Sequence, residues 1–398
     1  MLIGKKFPFS LNLLPTNVYL VGGAVRDALL GREREHLDFD LVLPSMAVET
    51  ARQIANRYHG GFVVLDEARQ IARVVLEGLT IDFAQQEGNN IETDLRRRDF
   101  TVNAIAYNLH SGETFDPLGG SADIENRVMR MVAPKNLEND PLRLLRAYRQ
   151  AAQLNFTIEE NTLSTIRTLA PLLGKVAAER VQTELNYLLA TPQGTKWLIA
   201  AEDDGLLSVW FPHATPERVQ QIPQIDRSAQ WMAENWKEFA QLPKSWYEAA
   251  KLACLLSPNP ATAESELINL KYSRSEIKTV TNLLKNLPPL MAKTAELSLR
   301  EQYFFFLEVG QVFPLIAVQA ISFGLAKDKI TPLIERYLSP EDGVAHPQPL
   351  VTGNDLMAHL QIKPSPIIGR LLTEIQIAQI EGIINTREAA LELAVKLL

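Results

Sequence analysis

Gly22-Gly23-Ala24-Val25-Arg26-Asp27, followed by Asp38-Phe39-Asp40, is the stretch of sequence that decides the fold. The apolar run at 18–21 predicts a short buried strand, and the two glycines let the backbone turn tightly and approach a ligand closely. The run at 24–30 predicts a helix whose first amide groups face a bound phosphate. The stretch therefore predicts a strand, a turn and a helix that together bind phosphate.

The two aspartates that follow predict a metal site. Side chains two residues apart on a strand share one face, so Asp38 and Asp40 can hold the same divalent ions. Two Mg²⁺ ions there would activate a 3′-hydroxyl and neutralise charge on a triphosphate. Gly23 and Arg26 are then predicted to bind the nucleotide. A lone Gly-Gly pair is usually an ordinary turn, so nucleotidyl transfer as an interpretation depends on the motifs downstream.

Four further motifs follow in order along the first half of the chain. They are Arg96-Arg97-Arg98-Asp99-Phe100-Thr101-Val102-Asn103-Ala104, Asp116-Pro117-Leu118-Gly119-Gly120 with Asp123, Asp140-Pro141-Leu142-Arg143-Leu144-Leu145-Arg146, and Glu179-Arg180-Val181-Gln182-Thr183-Glu184. With the glycine turn, this set resembles the class II tRNA nucleotidyltransferase and bacterial poly(A) polymerase family, and within it a bacterial CC-adding enzyme. The resemblance implies an α+β fold: a small mixed-sheet head of the polymerase β type, then a helical neck, body and tail.

The pattern of elements agrees with this organisation. Strand-like and helix-like runs alternate before about residue 127, and after about residue 140 the pattern is almost wholly helical. Breaks are predicted at the proline-containing stretches 211–223, 287–289 and 339–349. We therefore expect a catalytic head at 1–126, a neck with nucleotide-selecting residues at 127–190, a body at 191–290 and a tRNA-binding tail at 291–398.

Composition narrows the setting of the protein. The 40 Lys and Arg against 47 Asp and Glu give a net charge of −7, and the arginines cluster near the motifs, which favours a compact RNA over indiscriminate polyanion binding. The single cysteine, Cys254, predicts core filling in a reducing compartment. Residues 1–6 do not read as a signal peptide, and no uninterrupted apolar run of about 18 residues occurs. We expect a cytoplasmic protein without a membrane partner or a zinc site.

A polar row in the neck carries the second piece of chemistry. Asp140, Arg143, Arg146 and Arg149 recur every three residues, which predicts one face of a helix. Such a face is often only a salt-bridged surface, but beside phosphate motifs an arginine row suits a triphosphate. Together with Arg98 from the preceding motif, these arginines are predicted to bind the nucleotide.

Asp140 and Arg143 are also candidates for choosing the base. A carboxylate beside a guanidinium complements the amino-bearing edge of cytosine or adenine, whereas uracil and guanine would present an acceptor to the carboxylate. The resemblance gives these two residues the role of a protein template. Relatives often have Glu before this aspartate, where the chain has Asn139, so we expect altered support of the template with its base contacts retained. Most charge patterns like that of the Glu179 motif are surface salt bridges, and the resemblance gives this one the role of bracing the neck.

Asp82 lies in a predicted strand at 79–83, and the resemblance suggests it as a third carboxylate that activates the primer hydroxyl. A solvated edge-strand aspartate fits the run equally well. In the body and tail, which the resemblance expects to hold the tRNA elbow, the candidate phosphate contacts are Lys251, Lys271, Arg274 and Lys278.

The link at 83–93 bears on which nucleotides are used. Relatives that switch from CTP to ATP carry a longer flexible loop here, and CC-adding relatives carry a shortened one. The resemblance therefore implies Mg²⁺-dependent addition of two cytidines to tRNA from CTP, with a separate enzyme adding the adenosine. Tolerated loop variation is the other reading. A complete CCA-adding enzyme using CTP and ATP, a poly(A) polymerase and a non-catalytic RNA-binding relative remain alternatives.

Overall fold

The computed structural model describes residues 7–32, 38–191, 193–243, 246–293 and 297–398. The chain divides into two compact units, Met1–Val209 and Trp210–Leu398. The expectation for residues 1–6 lies outside the described residues. The finer division into head, neck, body and tail stays a prediction.

The first unit contains a mixed sheet. Its strands are β1 (Tyr19–Val21), β2 (Asp38–Leu43), β3 (Gly61–Asp66), β4 (Ile71–Leu76), β5 (Leu79–Gln85), β6 (Ala106–Asn108) and β7 (Thr114–Phe115). Their order is β3-β4-β5-β2-β1-β6-β7, in which β2 and β5 pair in parallel and the other neighbours are antiparallel. The predicted mixed-sheet head is confirmed.

Strands β3, β4 and β5 have one side packed on the core and the other open, whereas near β1 both sides of the sheet are covered, since Val21 and Val42 pack with Ile91 and Leu95. Helix α2 (Ala47–Arg57) packs against β3, β4 and β5, and alternate side chains such as Ala72, Val74 and Ile81 are buried. The opposite side, which we call the open face, carries in one row Asp40 on β2, Asp82 on β5, Arg73 on β4 and Val63 on β3. The period of two along a strand thus separates core residues from candidate site residues.

The remaining helices of the first unit surround the head and build the predicted neck. They are α1 (Gly23–Leu29), α3 (Ile91–Arg96), α4 (Gly120–Glu125), α5 (Pro134–Asn139), α6 (Leu142–Leu154), α7 (Glu160–Leu169), α8 (Ala178–Ala190) and α9 (Gly194–Asp203). One short parallel pair interrupts the helical region, formed by β8 (Val128–Met129) and β9 (Thr157–Ile158). The predicted helical neck therefore includes two strand residues after residue 140.

The predicted helix containing all four members of the polar row is wrong at its first residue. Asp140 is extended, with φ −137° and ψ 90°, and α6 begins only at Leu142. Pro141 is the physical cause, because the proline ring disfavours helical backbone at the residue before it. The Asp140 carbonyl still accepts from the Arg143 amide at 3.0 Å, so the aspartate adjoins the first turn of α6 without being part of the helix.

The described part of the second unit is built of helices. They are α10 (Pro216–Val219), α11 (Ile222–Asn235), α12 (Lys237–Ala240), α13 (Glu248–Leu255), α14 (Pro260–Asn269), α15 (Arg274–Lys293), α16 (Leu299–Val309), α17 (Phe313–Ser322), α18 (Lys327–Leu338), α19 (Gly353–Leu360), α20 (Pro366–Ile380) and α21 (Arg387–Leu397). The predicted break at 287–289 is wrong, because α15 continues through Pro288 and Pro289. Buried Leu284, Leu287 and Leu290 anchor the helix on both sides of the prolines.

The stretch Leu299–Ser322 is long and apolar enough to cross a membrane by length and composition alone. Of its most apolar window, 56% is buried inside the protein, and the stretch is divided by a 3₁₀ turn at Gly310–Val312. Phe313 and Ile316 are fully buried in the core of the unit. This burial is what a core helix requires.

Two residues singled out from the sequence lie in the core of the second unit. Cys254 is fully buried, and burial raises the pKa of its thiol to about 12, which fits the predicted filler role. Lys251 is also buried, with its Nζ 2.6 Å from Asp226 Oδ1, so as a candidate phosphate contact it is wrong. Lys271, Arg274 and Lys278 are exposed and stay candidates.

Candidate active site

A cavity of about 540 Å³ in the first unit brings the predicted nucleotide-binding residues together. Six arginines and only three carboxylates line it, so its charge favours a polyanion. The lining residues are Gly22, Gly23, Arg26, Arg32, Asp40, Arg98, Asp99, Asn103, Arg143, Arg146, Arg149, Gln150, Gln153, Leu154, Glu184 and Tyr187. Three predicted site residues, Asp38, Asp82 and Asp140, are absent from this lining.

The glycine turn brings backbone close to the carboxylate site. Gly22 precedes α1 with φ 73° and ψ −140°, a conformation that side chains rarely adopt. A Cβ at this position would lie 3.1 Å from Asp40 Oδ2 and 3.7 Å from Arg98 Nη1. The sequence pattern predicts a phosphate contact at Gly23, but the backbone requires glycine at Gly22, which is therefore a site residue that the prediction missed.

Arg26 is buried beneath the cavity. Its Nη1 donates to Asn103 Oδ1 at 2.7 Å and to Gln150 Oε1 at 3.4 Å, while Nε and Nη2 donate to Asp27 Oδ1. These bonds connect α1 with α6 and with the 3₁₀ turn Thr101–Asn103. Arg26 thus braces the cavity wall, and its predicted contact with the nucleotide stays a prediction.

Two arginines offer donors to a ligand. Arg98 and Arg146 line the cavity with 21% and 35% of their side chains exposed, and Arg146 Nε lies 3.7 Å from Glu184 Oε1. Phosphate oxygens in the cavity can reach the exposed parts of these guanidinium groups and accept charge-assisted hydrogen bonds. Arg149, by contrast, donates to Glu184 and, at 2.6 Å, to Gln153 Oε1. The Glu179 motif therefore braces the arginine row through Glu184, as expected.

Two buried aspartates hold these arginines in place. Asp94 accepts from Arg97 Nη2 at 2.9 Å and from Arg98 Nη2 at 3.0 Å. Asp99 accepts from the Phe100 amide at 2.8 Å and from Asn103 Nδ2 at 3.0 Å. Burial alone would raise the pKa of both carboxyls, but the neighbouring guanidinium groups and hydrogen bonds hold each pKa below its usual value.

Asp40 has the opposite electrostatic environment. Its side chain is open to the cleft, yet the surrounding protein desolvates it enough to raise its pKa above the ordinary value. Asp82 and Asp38 raise that pKa further by repulsion, against the lowering effect of Arg98 and Arg146. Crowded carboxylates of this kind call for a cation.

The carboxylate group fits a divalent ion that is shared with a substrate. Asp38 and Asp40 alternate with buried Phe39 on β2, and Asp82 lies opposite Asp40 on parallel β5. Among the described residues no cluster of three or more His, Cys, Asp and Glu could hold a metal ion by itself. Mg²⁺ commonly takes one or two carboxylates and completes its shell with phosphates and water, which suits this pair.

Asp140 lies apart from the cavity lining in an ion pair. Its Oδ2 accepts from Arg180 Nη2 of α8 at 2.9 Å. Arg143 is the second residue of α6. Its Nη1 donates to the carbonyl oxygens of Arg97 (2.9 Å) and Asn136 (3.2 Å). Burial lowers the pKa of this guanidinium. Asp140 and Arg143, the candidate template pair, are therefore held by α8, by α5 and by the residue that follows α3.

The link between β5 and α3 is short and tied at both ends. It comprises only residues 86–90. The Gln86 amide donates to Leu43 O at 2.7 Å, and the Glu87 amide donates to Asp94 Oδ1 at 3.1 Å. At the far end the Asn90 side chain accepts from the Thr93 amide and caps α3. Little free length remains for the link to move.

Asp99, Asn103 and Gln150 are functional-site residues for which the sequence predicts no role. Gln150 accepts from Asn103 Nδ2 at 2.9 Å, although the two lie 47 residues apart. Asp99 and Asn103 lie inside the Arg96–Ala104 motif, and this position in the sequence could have indicated a role for them. Gln150 gives no such signal, because a single glutamine on a helix has no diagnostic spacing.

Family models match three parts of the chain. The poly(A) polymerase head domain matches residues 18–130, the probable RNA- and SrmB-binding site of polymerase A matches residues 155–218, and a putative tRNA nucleotidyltransferase domain 2 matches residues 241–395. The matches fall in the order that the motifs predict.

Full-length comparisons agree with these matches. The chain is 50% identical to a CC-adding tRNA nucleotidyltransferase of Synechocystis over 99% of the chain and 96% of that protein. It resembles a CCA-adding enzyme solved with CTP (TM-score 0.75, 26% identity, 95% of this chain and 90% of that one). A Thermotoga maritima CCA-adding enzyme complexed with tRNA gives a TM-score of 0.73 at 26% identity, with the same coverage. The resemblance drawn from the motifs is confirmed, and the chain belongs to the tRNA nucleotidyltransferase family.

Proposed function

We propose that this protein adds the two cytidines of the CCA end to tRNA, using CTP and Mg²⁺, and leaves the terminal adenosine to a separate enzyme. The observation that carries nucleotidyl transfer is the arginine-lined cavity with Asp40 at its edge. A relative that matches nearly the whole chain is named for CC addition, and similar structures were solved with CTP and with tRNA. A cytoplasmic location is part of this proposal, because the similar proteins act on tRNA.

Binding of the triphosphate is the first task of the cavity. Arg98 and Arg146 line the cavity with partly exposed guanidinium groups, and the backbone at Gly22 can approach a phosphate closely. Each guanidinium bond to a phosphate is charge-assisted and therefore stronger than a neutral hydrogen bond. Asp94 and Asp99 fix the arginines before the ligand arrives, so binding costs little side-chain entropy.

Asp38 and Asp40 are the proposed ligands of Mg²⁺, with Asp82 beside them. When bound, the ion would polarise the phosphates and lower the pKa of the RNA 3′-hydroxyl. Asp82 is proposed to accept the proton of that hydroxyl, because it lies opposite Asp40 on the same open face. The hydroxyl oxygen would then form a bond to the α-phosphorus while the bond from the α-phosphorus to the α–β bridging oxygen breaks, and the pyrophosphate that leaves would remain against the arginines.

Asp140 and Arg143 are the proposed template for cytosine. The carboxylate would accept from the exocyclic amino group, and the guanidinium would donate to the ring acceptors. Arg180 holds Asp140 from α8, and Asn139 stands where relatives often have glutamate, so the proposal keeps altered support of the template with its base contacts retained.

The short link at 86–90 supports CC addition over complete CCA addition. Moving the template from cytosine to the larger adenine requires motion near the neck. The bonds of Gln86 and Glu87 tie the link to β2 and α3 and restrict such motion.

A pair of tRNA transcripts tests the proposal. A transcript that ends before the CCA should gain two residues when both CTP and ATP are present. A transcript that already ends in CC should gain none with ATP. Efficient addition of A to the second transcript would make the complete CCA-adding enzyme correct, and addition of many adenosines to unrelated RNA would indicate a poly(A) polymerase.

A further inference from the structure

Arg73 and Asp82 form a bidentate ion pair on the open face. Arg73 Nε donates to Asp82 Oδ1 at 2.7 Å, and Nη2 donates to Oδ2 at 2.8 Å. Both carboxylate oxygens therefore accept from the same guanidinium. The side chains are 43% and 23% exposed, so the pair can exchange with solvent and ligands. In this arrangement the proposed proton acceptor is already occupied.

The open face is where the RNA 3′ end must approach. In an in-line displacement the attacking hydroxyl and the leaving pyrophosphate lie on opposite sides of the phosphorus. Asp40 lines the arginine cavity, whereas Asp82 and Arg73 continue the same row away from it. With the triphosphate among the arginines, the hydroxyl arrives over β5 and β4. The nucleotide that bears it then passes over Arg73.

We propose that Arg73 is a positioning residue with two alternative partners. Without RNA it holds Asp82, and when the 3′ end is seated it donates to the terminal phosphodiester of the RNA, which frees Asp82 beside the attacking hydroxyl. This inference rests on the proposed function. The only RNA chemistry it invokes is that of an unpaired 3′-terminal nucleotide with an anionic linkage.

The energetics favour such an exchange. The Arg73–Asp82 pair is only partly buried, with 43% and 23% of the two side chains exposed, so a ligand on the open face can compete for the guanidinium. A phosphodiester offers guanidinium the same two-oxygen acceptor geometry as a carboxylate. The exchange therefore replaces one bidentate partner by another. Its consequence is that binding of the RNA 3′ end frees Asp82 beside the attacking hydroxyl.

The neighbouring side chains suit a nucleotide. Val63, opposite Arg73 on β3, and Val75, two residues along β4 on the same face, are 48% and 45% exposed. Exposed valines beside a charged row provide an apolar surface for a ribose or a base, while Arg73 contacts the phosphate. Valine side chains cannot distinguish one base from another by hydrogen bonds. This suits a primer whose terminal nucleotide changes after each addition.

The test is a comparison of two RNAs with two arginine variants. The RNAs are tRNA transcripts lacking CCA, one with an ordinary terminal phosphodiester and one with a neutral methylphosphonate at that linkage. For the wild type, the neutral linkage should raise the KM for RNA about 10- to 100-fold, the value of one charge-assisted contact. For Arg73→Met, the two RNAs should have equal KM values, and the KM for CTP should stay at the wild-type value.

Arg69→Met is the matched control. Arg69 lies in the turn of the same β3–β4 hairpin, is 69% exposed and pairs only loosely with Asp66. It should keep the full wild-type sensitivity to the neutral linkage. Arg73→Lys should keep part of it, because lysine retains the charge but loses the fork. The lysine variant also carries the test if the methionine variant does not fold.

The outcomes separate the two proposals. If Arg73→Met keeps the wild-type sensitivity to the neutral linkage, the role of Arg73 is overturned while cytidine addition stands. If the wild type adds no cytidine to the ordinary transcript, the proposed function itself is wrong.

Discussion

Two sets of aspartates flank the same cavity, and they differ in what surrounds them. Asp94 and Asp99 are buried among guanidinium groups and hydrogen-bond donors, which hold the pKa of each below its usual value. Asp40, beside Asp38 and Asp82, is open to the cleft, and desolvation together with its acidic neighbours raises its pKa. The comparison indicates two roles. A carboxylate surrounded by hydrogen-bond donors holds the arginines of the site in place, whereas a desolvated carboxylate beside other carboxylates is suited to binding a cation.

The largest expected effect is at Asp38 and Asp40, the two proposed metal ligands. Asp38→Ala or Asp40→Ala should reduce nucleotide addition below detection, because each removes a proposed metal ligand. The fold and tRNA binding should persist, since neither side chain supports the core. Incorporation in Mg²⁺, measured on gels, checks this, with exposed Asp203→Ala as a control of unchanged activity. Near-normal incorporation by either site variant would contradict the metal assignment.

Asp140 is an intermediate case, with one arginine partner and part of its carboxylate exposed. Asp140→Ala should reduce discrimination of CTP against UTP by about 10- to 100-fold, because the acceptor for the amino group is lost. A competition assay with both nucleotides measures the ratio. Unchanged discrimination would show that the template lies elsewhere.

Replacing the carboxylate by an amide should change the free energy of unfolding in opposite directions at Asp99 and at Asp40. Asp99→Asn should lower the free energy of unfolding by about 2 kcal/mol, because buried donors lose a charged acceptor. Asp40→Asn should raise it slightly, because a repelled carboxylate is removed. Urea unfolding at neutral pH measures both. If both variants change the free energy of unfolding in the same direction, the proposed difference between Asp99 and Asp40 is wrong.

The Asp99 effect should also depend on pH. The folded-state pKa of Asp99 lies below its unfolded value, so its stabilisation is present above the ordinary Asp range and is lost as pH falls through the folded value. The difference between wild type and Asp99→Asn should therefore shrink on acidification. Unfolding curves across acidic pH test this, and a constant difference would show that the charge on Asp99 is not the cause.

The smallest expected effect is in the second unit. Asp355 caps α19 together with Thr352 and accepts from Arg387 at 2.7 Å. Backbone and side-chain bonds from Thr352, then the Arg387 bond, lower its pKa to about 2. NMR titration of its carboxyl should give a midpoint near that value, and the tail should lose this contribution only between about pH 4 and 2. A midpoint at the ordinary value would weaken the rule drawn from Asp94 and Asp99.

Local pattern predicted the strands, helices and arginines of the site, because apolar periodicity and turn residues act within a few positions. β2 at Asp38–Leu43 and the clustering of Arg98 with Arg146 followed from such patterns. The position of Asp140 outside α6 did not, although Pro141 carried the signal. Long-range partners such as Arg73 for Asp82 were also missed, since pairing across strands depends on register, which no single segment encodes.

The tied link at 86–90 has a consequence for engineering. In most enzymes a change of substrate is sought by altering the side chains that touch it. Here the proposed limit on nucleotide choice is the restricted motion of the five-residue link between β5 and α3, which is hydrogen-bonded to Leu43 and Asp94. We therefore expect that lengthening this link, with every base-contacting residue left in place, gives an enzyme that also adds adenosine from ATP.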